Sequence, residues 1–258
     1  MFGVLKLYGD TALLAVRRGA RAWAVMFSLV LYAGIFLVTA ELVAPLGRAG
    51  GFVLGLVLAA CFSSYIDLIS HAVSGARLTF ADVRNSFRAR FWDVVSVLFA
   101  FWVIHLVLTY LIDPSLGQNA PIFDALAGLA LAVFFNPVPE LLYQGSSRSF
   151  QLLLESGRFI SRHGLEWLLP NILFAAALLA PLGLLRGPAG QVILSVSQIL
   201  SPDNDGMALF RVFGRAPIAL QLPMLVFVHW VMIFRGLLFA ELMRGGARQR
   251  ALRGAWRR

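Results

Sequence analysis

From Ala22 to Pro45 the chain carries a single charged residue, Glu41. Roughly 20 apolar residues is the length a helix needs to cross a hydrocarbon core of about 30 Å. A backbone in hydrocarbon must satisfy its own hydrogen bonds, which leaves an open chain little choice but helix. The run exceeds a signal-peptide core and lacks a small-residue cleavage site, so it reads as a retained first span. Five more apolar runs follow, at about 51–73, 94–112 (stopping at Asp113-Pro114), 122–143, 167–185 and 217–243. The expected fold is an all-α polytopic membrane protein of about six transmembrane helices.

Composition excludes the soluble alternatives. With 59% hydrophobic and 14% charged residues and a mean hydropathy of +0.79, the chain is too apolar for a water-soluble domain of 258 residues. A net charge of +9 raises the question of nucleic acid. All but one of the 22 basic residues are arginines, and apart from Arg235 these flank apolar runs, which is a topology signal rather than a nucleic-acid surface. Cys61 is the one cysteine, so there is neither an intrachain disulfide nor a cysteine-based metal site.

The basic residues also set the orientation. One side of the membrane receives Lys6, Arg17, Arg18, Arg21, the Arg77/84/88/90 set, Arg148, Arg158, Arg162 and six arginines from Arg244 onward, 17 in all. The other receives Arg48, Arg186, Arg211 and Arg215, while Arg235 lies inside the last span. The positive-inside rule then places both termini in the cytoplasm.

Residues 55–68 and 128–141 align at a shift of 73, with Asp67 on Glu140 and six identities. This register suggests two tandem units of helix, amphipathic connector and helix, residues 50–112 and 122–185, crossing in the same sense. Around them stand an interfacial helix over 1–20, an outer loop over 186–216, the span over 217–243 and a basic cytoplasmic tail over 244–258. The interfacial helix sets Phe2, Leu5, Ala12 and Val16 near one face, with Lys6, Arg17 and Arg18 available to anionic lipid head groups. In the first connector Phe80, Val83, Phe87 and Phe91 recur at helical spacing behind a Thr79-x-x-Asp82 capping box. The second sets out Phe150, Leu153, Leu154, Gly157 and Ile160. Either connector can cover the floor of the bundle or dock a protein partner. In the outer loop Asp203 and Asp205 lie in turn chemistry that lacks the glutamate a calcium loop needs.

Ionisable groups at membrane depth cost roughly 2.5–3.5 kcal/mol each at the bilayer centre, so those present demand a role. They are Asp67, His71, His105, Glu140, His229 and Arg235. Asp67 and His71 share a helical face, spacing that suits a proton relay or two metal ligands. The two prolines of Asn136-Pro137-Val138-Pro139-Glu140 must break the fourth span, and irregular backbone at that depth has to be shielded from lipid. Together these place a polar, cytoplasm-facing recess at Asp67, His71, Asn136, Glu140 and Arg235. The competing expectation is a packed bundle in which Asp67 and Glu140 pair with connector arginines and hold the two units together, while Arg235 snorkels inward, reaches Glu140 or binds an anionic head group. No zinc-protease, nucleophile-elbow or phosphate-loop motif occurs, so no catalytic, cofactor or metal residue is assigned and a non-enzyme is expected.

Over residues 50–185 the layout of tandem units, with Asp67 and Glu140 in register, resembles bacterial inner-membrane proteins of the YciC type and the membrane domain attached to some glycerophosphodiester phosphodiesterases. In outline the chain is also similar to permease subunits of type-2 ABC exporters, with residues 2–18, 79–91 and 186–216 in the places of the interfacial helix, coupling helix and outer loop. These resemblances imply residence in the bacterial cytoplasmic membrane. They leave open a scaffold or accessory subunit of an envelope or transport complex and a permease for a lipid or small amphiphile, with an intramembrane enzyme least favoured.

Overall fold

The computed structural model describes residues 2–145, 150–180 and 218–255. The described residues are helical with no strand, and the protein is an all-α multi-pass membrane protein. Five described segments are long and apolar enough to span a bilayer: Trp23–Leu46, Ala49–Ser74, Phe91–Asn119, Ile122–Gln144 and Ala219–Gly245. The expected span over 167–185 is described only to residue 180, and the outer loop over 186–216 and Arg148 lie outside the described residues.

The chain divides into two compact units. The first comprises residues up to 95, those from 139 to 148 and those from 226 onward. It opens with α1 (Phe2–Arg21), whose Thr11 and Ala15 are buried while Leu5, Leu13 and Val16 stay exposed. The exposed apolar residues are the ones an interfacial helix would give to lipid. A break at Ala22 leads into α2 (Trp23–Val43), and a tight turn through Gly47 leads into α3 (Arg48–Ser74).

Helix α3 stops at Gly75, which adopts φ +86°. Its N–H bonds to Ala72 O and the next N–H, of Ala76, to His71 O. This Schellman closure satisfies two of the carbonyls that a helix end leaves over, in a conformation that strains any residue with a Cβ.

The expected capping box is present before α4 (Phe80–Ser86). The Asp82 carboxylate accepts from the Thr79 N–H at 2.7 Å and from its hydroxyl at 2.8 Å. These donors hold Asp82 below the usual carboxylate range. Val83 and Ser86 are buried, Phe80 meets Trp23 edge to face and Phe87 meets Tyr32 the same way, so the connector is packed under α2 and α3. Three hydroxyls tie it there: Tyr32 Oη lies 2.5 Å from Ser64 Oγ, Ser64 bonds Ser86, and Ser86 donates to Val83 O. The centre of the unit is filled by Ile66, Leu68 and Ile69 of α3 and by Phe234, Leu238 and Phe239 of the last helix, each under 2% exposed.

The second unit comprises residues 96–138 and 149–225. Helix α5 (Phe91–Val107) does not end the span at Asp113-Pro114 as expected. It continues through a π turn, Leu108–Ile112, into α6 (Asp113–Leu116), because Pro114 occupies the first helical turn, where its missing N–H and fixed φ cost nothing. Helix α7 (Ala120–Phe134) then breaks at the expected place. Next come α8 (Val138–Gln144), whose residues from 139 belong to the first unit, and α9 (Phe150–Leu179), kinked where His163 leaves helical geometry.

The second connector is turned from the expected face, burying Leu152, Leu153, Ser156, Phe159 and Ile160 and exposing Leu154. The rotation carries Ser156 to the end of α7, where its hydroxyl donates to Phe134 O at 2.5 Å. The final helix, α10, runs Ile218–Ala255, so the basic segment continues the last span without a break as far as Ala255.

Candidate functional site

Helix α8 is only seven residues long, too short to be stable on its own propensity. Side chains of the first unit hold it at three places. Glu140 is fully buried, and its carboxylate is gripped in a fork by Arg235: Nε donates to Oε1 at 2.8 Å and Nη2 to Oε2 at 2.9 Å. At the far end Arg90 donates to Leu142 O and, at 3.4 Å, to Tyr143 O. Carbonyls in the last turn of a helix have no intrahelical donor, and a cation there also meets the negative end of the dipole. Gln144 Nε2 donates to Gly236 O at 2.8 Å, joining α8 to the backbone of α10.

Asp67 stands on the other side of Arg90, with Oδ1 3.8 Å from the guanidinium Nε, and its side chain is 14% exposed. His71, one turn later and half exposed, sets Nδ1 2.9 Å from the Asp67 carbonyl and 3.6 Å from Asp67 Oδ2. The two carboxylates that align in the sequence are thus each matched to an arginine. Asp67 meets one of the four connector arginines, and Glu140 meets the arginine inside the last span. Bidentate charge-assisted bonds of the second kind are the stronger.

Of the five residues expected in one recess, Asp67, His71, Glu140 and Arg235 fall in the first unit. Asn136 falls in the second, where its Oδ1 accepts from Trp167 Nε1 at 2.8 Å. With the Ser156 bond to Phe134 O, that contact satisfies polar groups around the proline break from within the second unit. The other two candidate histidines are placed apart. His105 Nδ1 lies 3.4 Å from Thr109 Oγ1 on its own helix, and His229 is buried beside Gly19 of α1.

Gly236 marks a close approach of side chains from two other helices of the first unit. A Cβ there would come within 3.0 Å of both the Tyr143 hydroxyl and Val73 Cγ2. The Tyr143 hydroxyl is itself buried with no hydrogen-bond partner among the described residues. Sequence reasoning missed this contact because Gly236 follows Arg235 within an ordinary apolar run. A glycine immediately after the one cation of that span is the signal that was available.

Chemically the arrangement is one of committed charge. Both Glu140 oxygens accept from Arg235, which leaves them poorly placed to bind a metal or take a substrate proton unless the fork opens. Among the described residues no three His, Cys, Asp or Glu side chains converge as metal ligands would. Comparison of the chain with protein-family models, with curated proteins and with solved structures gives no match.

Proposed function

We propose that this multi-pass membrane protein is a non-enzymatic scaffold or accessory subunit of an envelope or transport complex, seated in the bacterial cytoplasmic membrane with both termini cytoplasmic. The observation that carries the reading is the fully buried Glu140 locked to Arg235, with Asp67 matched to Arg90 beside it. A transport or catalytic carboxylate has to change its partner or proton during a cycle. A carboxylate held by two charge-assisted bonds away from water is suited to fixing helices instead. The 17-to-4 distribution of basic residues supports the orientation.

The connector offers the docking face. Val83 and Ser86 point into the bundle, while Arg84 and Arg88 are exposed on the side assigned to the cytoplasm. A partner with an acidic surface suits them. Membranes solubilised in mild detergent and resolved on native gels should show the protein in an assembly well above 28.3 kDa plus its detergent. Arg84→Glu with Arg88→Glu should release it from that assembly without lowering its thermal stability. A protein that migrates alone and moves a lipid or amphiphile in an energy-dependent way in proteoliposomes would refute the scaffold reading.

A further inference from the structure

A half-enclosed cavity of about 480 Å³ opens in the first unit where α1 lies against the C-terminal ends of α3 and α8 and the Leu237–Arg244 stretch of α10. The volume falls in the roughly 300–1,000 Å³ range of small-ligand sites. Its position is informative. Ser74, Gln144 and Arg244 line it; the apolar segments Ala49–Ser74 and Ile122–Gln144 end at the first two, and the apolar run of α10 gives way to arginines at the third. Three spans therefore stop at one cavity, at the level where hydrocarbon gives way to head groups.

In a chain of net charge +9 the lining is balanced, with Arg18 and Arg244 against Asp10 and Glu241. Arg244 and Glu241 are already paired at 3.0 Å. Arg18 and Asp10 are not: among the described residues neither has an ion-pair partner. The Arg18 guanidinium lies over Gly75 at the end of α3, and Asp10 sits two turns away on the exposed side of α1. Leu14 and Leu237 complete the wall with apolar surface.

One free cation and one free carboxylate at the head-group level, beside an apolar wall, complement a ligand that carries both signs on a lipid body. We propose that this cavity binds the head group of a zwitterionic aminophospholipid such as phosphatidylethanolamine, with its phosphate on Arg18 and its ammonium on Asp10. An anionic lipid would satisfy Arg18 and leave Asp10 facing its phosphate. This is a different preference from the attraction to anionic lipid that the basic flanks of the chain suggest, and it holds whether or not the protein is a scaffold.

Native mass spectrometry of the purified full chain, titrated with phosphatidylethanolamine and phosphatidylglycerol of identical acyl chains, tests the assignment. Wild type should retain phosphatidylethanolamine at least tenfold better. Arg18→Gln should lower that retention about tenfold. Asp10→Asn, at an exposed position where folding is not at risk, should abolish the preference between the two lipids. Equal retention of both lipids by wild type, as expected of annular lipid alone, would overturn the proposal, as would an unchanged preference in Asp10→Asn. Glycerophosphoethanolamine should bind at least tenfold more weakly than the lipid. Binding as tight as the lipid's would overturn the assignment to a membrane source.

Discussion

Glu140→Gln is the most informative single change. The carboxylate and the Arg235 guanidinium stand 2.8 Å apart, with the acid fully buried and the arginine side chain 14% exposed. At an effective dielectric of about 20 their attraction is about 6 kcal/mol, much of it offset by a desolvation cost of several kcal/mol per ion. The intact pair therefore adds little net stability. Removing one partner is different, because the desolvation of Arg235 remains without compensation, and such losses run to about 3–5 kcal/mol. For a chain of this size each kcal/mol corresponds to roughly 2–4 °C, so Glu140→Gln should lower the midpoint of thermal unfolding in detergent by roughly 6–20 °C. Arg235→Gln should do the same, since it strands the buried carboxylate. The double variant, with two neutral amides facing each other, should lose clearly less than the sum, by at least about 1 kcal/mol of coupling. Size-exclusion detection of the folded fraction after a temperature ramp reads all three. Midpoints within 2 °C of wild type, or a double variant equal to the sum of its parents, would refute the idea that one member strands the other.

Gly236→Ala drives a methyl group into Tyr143 and Val73 and should destabilise by about 1–3 kcal/mol. Tyr143→Phe, which removes a buried hydroxyl that has no hydrogen-bond partner among the described residues, should be neutral or stabilising alone and should recover part of the loss in the double variant; no recovery would place the clash elsewhere. Arg90→Gln should cost more than Asp67→Asn, because it also frees the terminal carbonyls of α8, and the reverse order in the same thermal assay would demote Arg90. Asp82 has a folded pKa below its unfolded value, so its contribution is present above about pH 4 and fades as pH falls through the folded value. A spin label on α4 in a Cys61→Ser background should grow more mobile below about pH 4, and Asp82→Asn should make it mobile at every pH.

Much of this was legible because membrane spans are written in length and charge exclusion, which survive without knowledge of packing. The capping box was legible for a related reason: Thr79 and Asp82 satisfy each other locally, so no distant element can change the outcome. The Glu140 partner was within reach, since Arg235 is the one cation inside the last span. Asp67 was harder, because four connector arginines are alike in sequence and only the path of the chain after α4 selects Arg90. The face of the second connector was misread because its buried stripe includes Ser156, a polar residue whose burial depends on a carbonyl released at the end of α7. Pro114 misled in the opposite direction, since a helix-breaking residue is harmless in a first turn. The grouping of Asp67, His71 and Glu140 with Asn136 rested on linear proximity to the break, whereas the chain passes from one compact unit to the other just after it.

The three hydroxyls that fasten α4 beneath α2 and α3 carry a direction as well as a strength. Each has one proton to give. Ser86 gives its proton to Val83 O, so towards Ser64 it can only accept; Ser64, having given its proton to Ser86, can only accept from Tyr32. The polarity of the whole row is thus set by one backbone carbonyl at its far end, and every dipole in it points from α2 through α3 into the connector. A connector turned or drawn away from the membrane would remove that terminal acceptor and free the row to reverse, so that the orientation of a single phenolic proton on Tyr32 records whether the connector is seated.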